Sequence, residues 1–189
     1  TTPNMDYGYG RLSIAGAHLD RALDRVKQTW RDLESLKEQR AAKKIEMEKD
    51  VEVAKAALAT AQWNLGDKYA NGQGVTQDCE QAATWWRKAA EQGLVRAQLD
   101  MGFKYATGQC VRQDDEQAVT WYRRAADRGL AGAQLSLGAA YAGGRGVPRD
   151  DAQAVVWYRK AAVQGNGGAQ DLLAYAYASG RGIDQDYAQ

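Results

Sequence analysis

One histidine, two cysteines, two prolines and one phenylalanine in 189 residues leave little material for several kinds of chemistry. The lone His18 has no Cys or carboxylate cluster at metal-ligand spacing around it, so it reads as a solvated or capping side chain and no metal site is expected. A nucleophilic triad lacks its base. Apolar runs are only a few residues long and the mean hydropathy is −0.62, which leaves no candidate for a membrane-spanning helix of about 20 residues. Nor does one charge dominate. Twenty-five Lys and Arg against 24 Asp and Glu give a net charge of +1, so there is no bulk pull towards nucleic acid or anionic lipid. Val and Ile together number 14 against 34 Ala, a balance that favours close-packed helices over a β-sandwich or barrel. The expected class is all-α. The chain begins Thr1-Thr2-Pro3 with neither an initiator Met nor an apolar signal segment, from which a trimmed start is expected.

What the chain does contain is self-similarity. From Ala61 onwards it repeats with a period of 36 residues and no insertion, giving copies at 61–96, 97–132 and 133–168 and a partial fourth at 169–189. Leu65-Gly66, Tyr69, Gly72, Gly74-Val75, Asp78, Gln81-Ala82, Trp85, Ala89-Ala90 and Gly93 return 36 residues later as Met101-Gly102, Tyr105, Gly108, Val111, Asp114, Gln117-Ala118, Trp121, Ala125-Ala126 and Gly129. They return again from Leu137-Gly138 to Gly165, and the fourth copy starts with Leu173, Tyr177, Gly180, Gly182-Ile183, Asp186 and Gln189.

Each unit reads as a helical hairpin. Ala61, Leu65 and Tyr69 lie on one face of helix A, which Gly72 ends as a residue able to take positive φ. Asp78 begins helix B as an N-cap, and Gln81 can reach back to complete a capping box. Ala82, Trp85 and Ala89 form the inner stripe of helix B, and Gly93 stops it. The helix A glycines Gly66, Gly102 and Gly138 allow close approach of neighbouring helices, while Trp and Tyr fill the space between hairpins. A fourth copy broken off at its capping box leaves an apolar face uncovered, so chain beyond Gln189 is expected.

The strings "LGDKYANGQGVTQD", "QAATWWRKAAEQG" and "LGAAYAGGRGVPRDDAQAVVWYRKAAVQG" resemble Sel1-like repeats, relatives of the tetratricopeptide repeat, over residues 61–189. The departures are Cys110, where the other copies have Gly74, Gly146 and Gly182, and Ala174 at the helix A glycine position. The resemblance implies a right-handed superhelical solenoid whose concave helix A face recognises partners, usually proteins. It implies no catalytic residues and no cofactor.

Residues 1–60 fall outside that pattern. Residues 1–10 read as a flexible arm, and 11–60 as a coiled-coil-like helical segment. Between Gly16 and Gly66 there is no Gly or Pro, and Leu19, Leu23, Val26, Trp30, Leu33 and Leu36 recur at spacings of three and four. From Lys37 to Asp50 the segment is almost wholly charged, with opposite charges three apart at Glu46 and Lys49. One helix of about 45 residues, roughly 70 Å long, and a folded-back hairpin both satisfy this pattern.

The remaining constellations have structural readings. Gly143-Gly144-Arg145-Gly146 does not lead from a strand into a helix as a phosphate loop does, and the pairs Asp114-Asp115 and Asp150-Asp151 stand where helix B needs caps. Cys79 and Cys110 are each unique to their copy. Free buried cysteine is one reading. The other is a bridge, since stacking brings the start of the first helix B near the turn entering the second. Closing a 31-residue separation would stabilise the array by roughly 3 to 4 kcal/mol and would place it in an oxidising compartment such as the periplasm.

On helix A, positions 63 and 67 lie roughly 160° from Leu65 at about 100° per residue, and so point away from the hairpin core. These columns read Trp63, Leu99, Leu135, Asp171 and Asp67, Phe103, Ala139, Tyr175, which is apolar for a solvent face. Trp63, Leu99 and Phe103 are expected to meet either a partner or the N-terminal helix. Asn64, Lys68, Asn71, Arg96, Lys104 and Thr107 are placed around them as orienting hydrogen-bonding groups. The function expected is a non-enzymatic bacterial adaptor, with an effector, toxin or envelope component as partner and an immunity role among the options. Self-association through residues 19–36 goes with it. The alternative is a binder or hydrolase of cell-wall-derived small ligands.

Overall fold

The structure, a computed structural model, describes the backbone of residues 6–182 and the side chains of residues 16–182. Seven helices and no strand occur among the described residues: α1 (Asp6–Asn71), α2 (Cys79–Glu91), α3 (Val95–Thr107), α4 (Asp115–Asp127), α5 (Ala131–Gly143), α6 (Asp151–Val163) and α7 (Gly167–Ser179). Among these residues no helix is long and apolar enough to cross a membrane. The arm expected over residues 1–10 lies in part outside the described residues, as do Asp186 and Gln189 of the fourth copy. The chain divides into two units, Thr1–Glu52 and Val53–Gln189.

The first unit is helix throughout its described length, which decides between a straight segment and a hairpin: α1 is uninterrupted. The reason is local. No helix breaker interrupts residues 17–65, and ion pairs between neighbouring turns, Asp24 with Lys27 at 3.6 Å, Glu34 with Lys37 at 2.7 Å and Lys44 with Glu48 at 3.9 Å, support the exposed surface. The stripe from Leu19 to Leu36 stands open, its six side chains 44% to 65% exposed.

The second unit is the solenoid. The last turns of α1 act as helix A of the first hairpin, α3, α5 and α7 as the later helices A, and α2, α4 and α6 as helices B. Helix B starts where the sequence places it. The Asp78 carboxylate accepts from the backbone N–H groups of Glu80 and Gln81 at 2.9 and 3.0 Å, and Asp114 and Asp150 accept from Gln117 and Gln153 at 2.9 Å. The expected return bond of the capping box does not form. Each cap N–H already donates to the carbonyl of the helix A tyrosine, Asp78 to Tyr69 at 2.9 Å and Asp114 to Tyr105 and Asp150 to Tyr141 at 3.0 Å, so the glutamine has nothing left to satisfy.

The inner stripe of helix B also differs from the sequence reading. The side chain driven into the hairpin is the second aromatic of each pair, Trp86, Tyr122 and Tyr158, all 6% exposed or less. Each ring packs directly against the helix A glycine of its own hairpin: a methyl at Gly66, Gly102 or Gly138 would overlap Trp86, Tyr122 or Tyr158. The first aromatic of each pair lies under a cation three positions on, Lys88 over Trp85 at 4.3 Å, Arg124 over Trp121 at 4.5 Å and Lys160 over Trp157 at 3.9 Å. Trp85 and Trp157 are half-buried there, whereas Trp121 is buried and packs into the core with Trp86 and Met101.

Successive hairpins are tied by recurring polar contacts. Arg87, Arg123 and Arg159 on helices B each donate to the hydroxyl of the next helix A tyrosine, Tyr105, Tyr141 and Tyr177, at 3.0, 2.7 and 2.9 Å. Buried Gln134 donates to the Ala126 carbonyl of the preceding hairpin and accepts from Gln164 of its own at 2.8 Å. Its counterpart Gln98 donates to the Ala90 carbonyl at 3.1 Å, but its side-chain oxygen has no partner. The residue that should supply one is Arg128 in place of glutamine, and Arg128 instead donates to the Gly93 carbonyl at 2.7 Å.

If the glycine–ring contact sets the hairpin spacing, Gly102→Ala lowers the unfolding free energy by about 1 to 3 kcal/mol, the usual cost of overpacking, despite the roughly 1 kcal/mol that alanine gains in helix propensity. Urea denaturation checks this. A midpoint equal to or above that of the parent chain removes the contact from its controlling place.

Candidate functional site

The helix A face is built by the solenoid unit alone, from the last turns of α1 and from α3, α5 and α7. Its first station is aromatic and charged. Trp63 stacks on Trp86 with ring centroids 5.6 Å apart, and the Trp86 indole N–H donates to the Asp67 carboxylate at 2.9 Å. Lys104 reaches across from α3 and holds its ammonium 3.4 Å from the centre of the Trp86 ring and 5.7 Å from that of Trp63. Arg96 pairs with Asp100 at 3.6 Å, one turn before Lys104. Burial dominates both titrating groups in this cluster: loss of hydration holds the Asp100 carboxyl above its ordinary range against the pull of Arg96, and holds the Lys104 ammonium below its ordinary range against the pull of Asp67 and Asp100.

The next station is a cavity of about 360 Å³ between α3, α4, α5 and α7, walled by Phe103, Val119, Tyr122, Leu135 and Leu172. Phe103 is 47% exposed and meets Tyr122 edge to face, centroids 5.5 Å apart. Burial pushes the Tyr122 hydroxyl up to about 12, so the ring stays neutral across physiological pH, while Asp115 and Arg145 put one charge of each sign in the lining. One hairpin on, a smaller cavity of about 120 Å³ repeats the arrangement with Val155, Tyr158, Leu172 and Tyr175. A larger space of about 720 Å³ lies on the other layer, between α2 and α4. It recurs at about 470 Å³ beside α4 and the following turn, as the groove that stacked helices B leave between them.

The residues expected on this face do not all stand on it. Leu99 is the clear correction. Only 9% exposed, it belongs to the core, because the start of α5 passes over it and a methyl on Gly132 would lie 3.3 Å from its Cδ2. Trp63 is half-buried by its stack on Trp86, and Leu135 is half-buried beneath Gly168 in the same manner. Phe103 and Tyr175 are exposed, as are Asn64, Lys68, Asn71 and Arg96. Thr107 turns its hydroxyl back to the Phe103 carbonyl at 2.7 Å and so is already engaged. Sequence reasoning passed over Tyr122, Tyr158 and Leu172, whose role as cavity walls follows from contacts 13 to 50 residues apart.

Cys79 and Cys110 are joined by a disulfide with Cα atoms 4.8 Å apart. Its position has a precise counterpart in the other hairpins. Gly146 packs against the backbone of Asp115, and Gly182 against that of Asp151, so closely that a methyl on either would overlap the carbonyl. Cys110 and Cys79 occupy these same two places, 36 residues earlier, and Cys110 takes φ +59°, the one positive value among the described residues that are not glycine. A covalent bond replaces a glycine contact. His18 is exposed, Asp151 is held below the usual carboxylate range by Arg149 at 2.7 Å, and no group of metal-binding side chains occurs among the described residues.

The Sel1 repeat model matches residues 59–94, 95–130, 131–166 and 168–189. Among solved structures, the chain is similar to c5321, described as a protective antigen present in uropathogenic Escherichia coli strains displaying an SLR fold. That match has 45% identity and a TM-score of 0.64, covering 68% of this chain and 28% of that one. A Sel1 repeat protein from Oxalobacter formigenes is 44% identical with a TM-score of 0.58, covering 61% of this chain and 87% of that one. The chain thus spans under a third of the E. coli protein and most of the O. formigenes one. Among curated proteins no match is found.

Replacing the disulfide by serines (Cys79→Ser with Cys110→Ser) should cost roughly 3 to 4 kcal/mol of unfolding free energy. Cys79→Ser with Cys110→Gly should recover about 1 kcal/mol of that, since glycine takes the left-handed backbone without strain. Denaturant midpoints of the two variants check both values, and equal midpoints would show that the turn carries no backbone cost.

Proposed function

The chain belongs to the Sel1 repeat family, and from that membership we propose that it is a non-enzymatic adaptor holding a protein partner along the concave helix A face. Sel1 repeats are typically interaction scaffolds that mediate protein–protein binding. The observation that carries the reading for this chain is the row of partly open apolar side chains on one face of the solenoid, Phe103, Leu135, Leu172 and Tyr175, with cavities between them at successive hairpins. Exposed apolar surface of this kind costs free energy in water and returns it on docking, roughly 1.5 to 3 kcal/mol for each large side chain buried. The partner we propose is an effector, toxin or envelope component, and an immunity role is one form that binding takes. The disulfide fits an oxidising compartment.

Affinity capture from the source organism followed by mass spectrometry identifies the partner, and Phe103→Asp then tests the face. Binding should weaken at least tenfold while helicity by circular dichroism stays unchanged. A partner that binds Phe103→Asp as tightly as the parent chain places the interface elsewhere.

The first unit has a separate role in this reading, self-association through the open stripe of residues 19–36. Sedimentation equilibrium of the full chain should give a mass above 20.7 kDa that falls to the monomer value in Val26→Glu with Leu33→Glu. A monomer at all concentrations in the parent chain ends that assignment.

A further inference from the structure

The three stations on the helix A face are the same structural place at successive hairpins. Trp86, Tyr122 and Tyr158 form the ring wall, 36 residues apart, and the residue facing each ring from the next helix A is Lys104, Ala140 and Ala176. At the second and third stations the small alanine leaves a mostly apolar cavity, with Asp115 and Arg145 or Asp151 and Arg181 also in the lining. At the first, lysine occupies that space and presents an ammonium instead. One repeated site therefore presents a lysine at one end and mostly apolar space at the next two.

Asp67 and Asp100 favour the ammonium through space, but neither closes on it in a hydrogen bond or ion pair. Asp67 is held by the Trp86 indole N–H at 2.9 Å, and Asp100 is held by Arg96 at 3.6 Å. Lys104 makes no hydrogen bond or ion pair among the described residues, only its contacts with the Trp63 and Trp86 rings. An ammonium has three donors, and ring contacts satisfy none of them. We propose that Lys104 is the anchor for an aspartate or glutamate side chain of an extended partner peptide, whose following apolar residues fill the cavities beside Tyr122 and Tyr158. This rests on the reading of the helix A face as the docking surface, and it specifies the chemistry of what docks. Stacked helices lie about 8 to 10 Å apart, and an extended chain advances about 3.3 Å per residue, so one hairpin corresponds to about three peptide residues. The motif is an acid with apolar side chains at about the third and sixth positions from it, in either chain direction. Desolvation already weighs on the Lys104 charge, and an incoming carboxylate relieves it.

The test uses the full chain as bait for a displayed library of random 12-residue peptides, followed by fluorescence polarisation with synthetic, C-terminally amidated versions of the enriched sequences. The expected result is enrichment of an Asp or Glu with two apolar residues at this spacing. Lys104→Met should weaken binding at least tenfold, Lys104→Arg should retain most of it, and added salt should reduce it. Changing the peptide's own acid to its amide should give the same loss, which reads the contact without relying on a variant that folds. Acid-free peptides, or Lys104→Met and acid-to-amide changes within twofold, overturn the anchor while loss of binding in Phe103→Asp leaves the docking face standing. Tighter binding by peptides whose only carboxylate is a free C-terminus overturns the side-chain assignment. Peptides indifferent to both Lys104→Met and Phe103→Asp, or no enrichment at all, overturn the anchor and the docking face together.

Discussion

A flat aromatic ring resting on a glycine is the contact on which the rest of the solenoid depends. Trp86 on Gly66, Tyr122 on Gly102 and Tyr158 on Gly138 each bring two helices closer than any side chain at the glycine would permit. The ring fixes the rotation of helix B as well as its distance. Once the second aromatic of the pair is committed to the glycine, the first, about 100° round the helix, faces a different side, where it meets the cation three residues later. The same rotation aims Arg87, Arg123 and Arg159 at the tyrosines of the following hairpin. It also leaves the far edge of each buried ring as the wall of a space on the helix A face, so the packing device and the candidate site share their atoms.

Much of this was legible in the sequence because it is local. The 36-residue period, the aspartate caps and the glycine stops depend on residues within a turn or two of each other, and they appear where expected. What was not legible depends on how two helices cross. Trp85 and Trp86 both satisfy an aromatic position on helix B, and the sequence offers no ground to prefer the second until the glycine beneath it is seen. Leu99 was misplaced for a related reason. Its angle from the hairpin core was measured on a single helix, whereas a helix A inside an array has another helix A beside it, and Gly132 brings that neighbour down onto the leucine. Arg128 shows the converse: the period predicts a glutamine partner for Gln98, and one departure from it leaves a buried oxygen unpaired.

The disulfide makes the logic of the array explicit. Where hairpins meet at Gly146 and Gly182, the turn of one approaches the first backbone carbonyl of the preceding helix B, and only glycine is thin enough. A cysteine at that place cannot make the approach. Cys110 keeps the left-handed backbone of the glycine it replaces and converts the contact into a bond with Cys79, which stands at the first residue of α2. Steric intimacy at two interfaces is exchanged for covalent linkage at the third, and the period of the solenoid is preserved.

The same substitution logic governs the helix A face. A repeat protein can vary a site without disturbing its frame when the varied side chain faces a constant wall, and the ring stations meet that condition. Alanine at positions 140 and 176 leaves room beside Tyr122 and Tyr158 for an apolar ligand group, whereas lysine at 104 fills the room and brings an ammonium to the station. The cost of that choice is desolvation of a charge beside two indole rings, and it is contained because Asp67 and Asp100 lie near enough to favour the ammonium while each is bonded to another group. Had either carboxylate closed on Lys104, the station would be a finished internal ion pair with nothing to offer a partner. The indole N–H of Trp86, by holding Asp67 at 2.9 Å, ties the ring wall to helix A beside that cation.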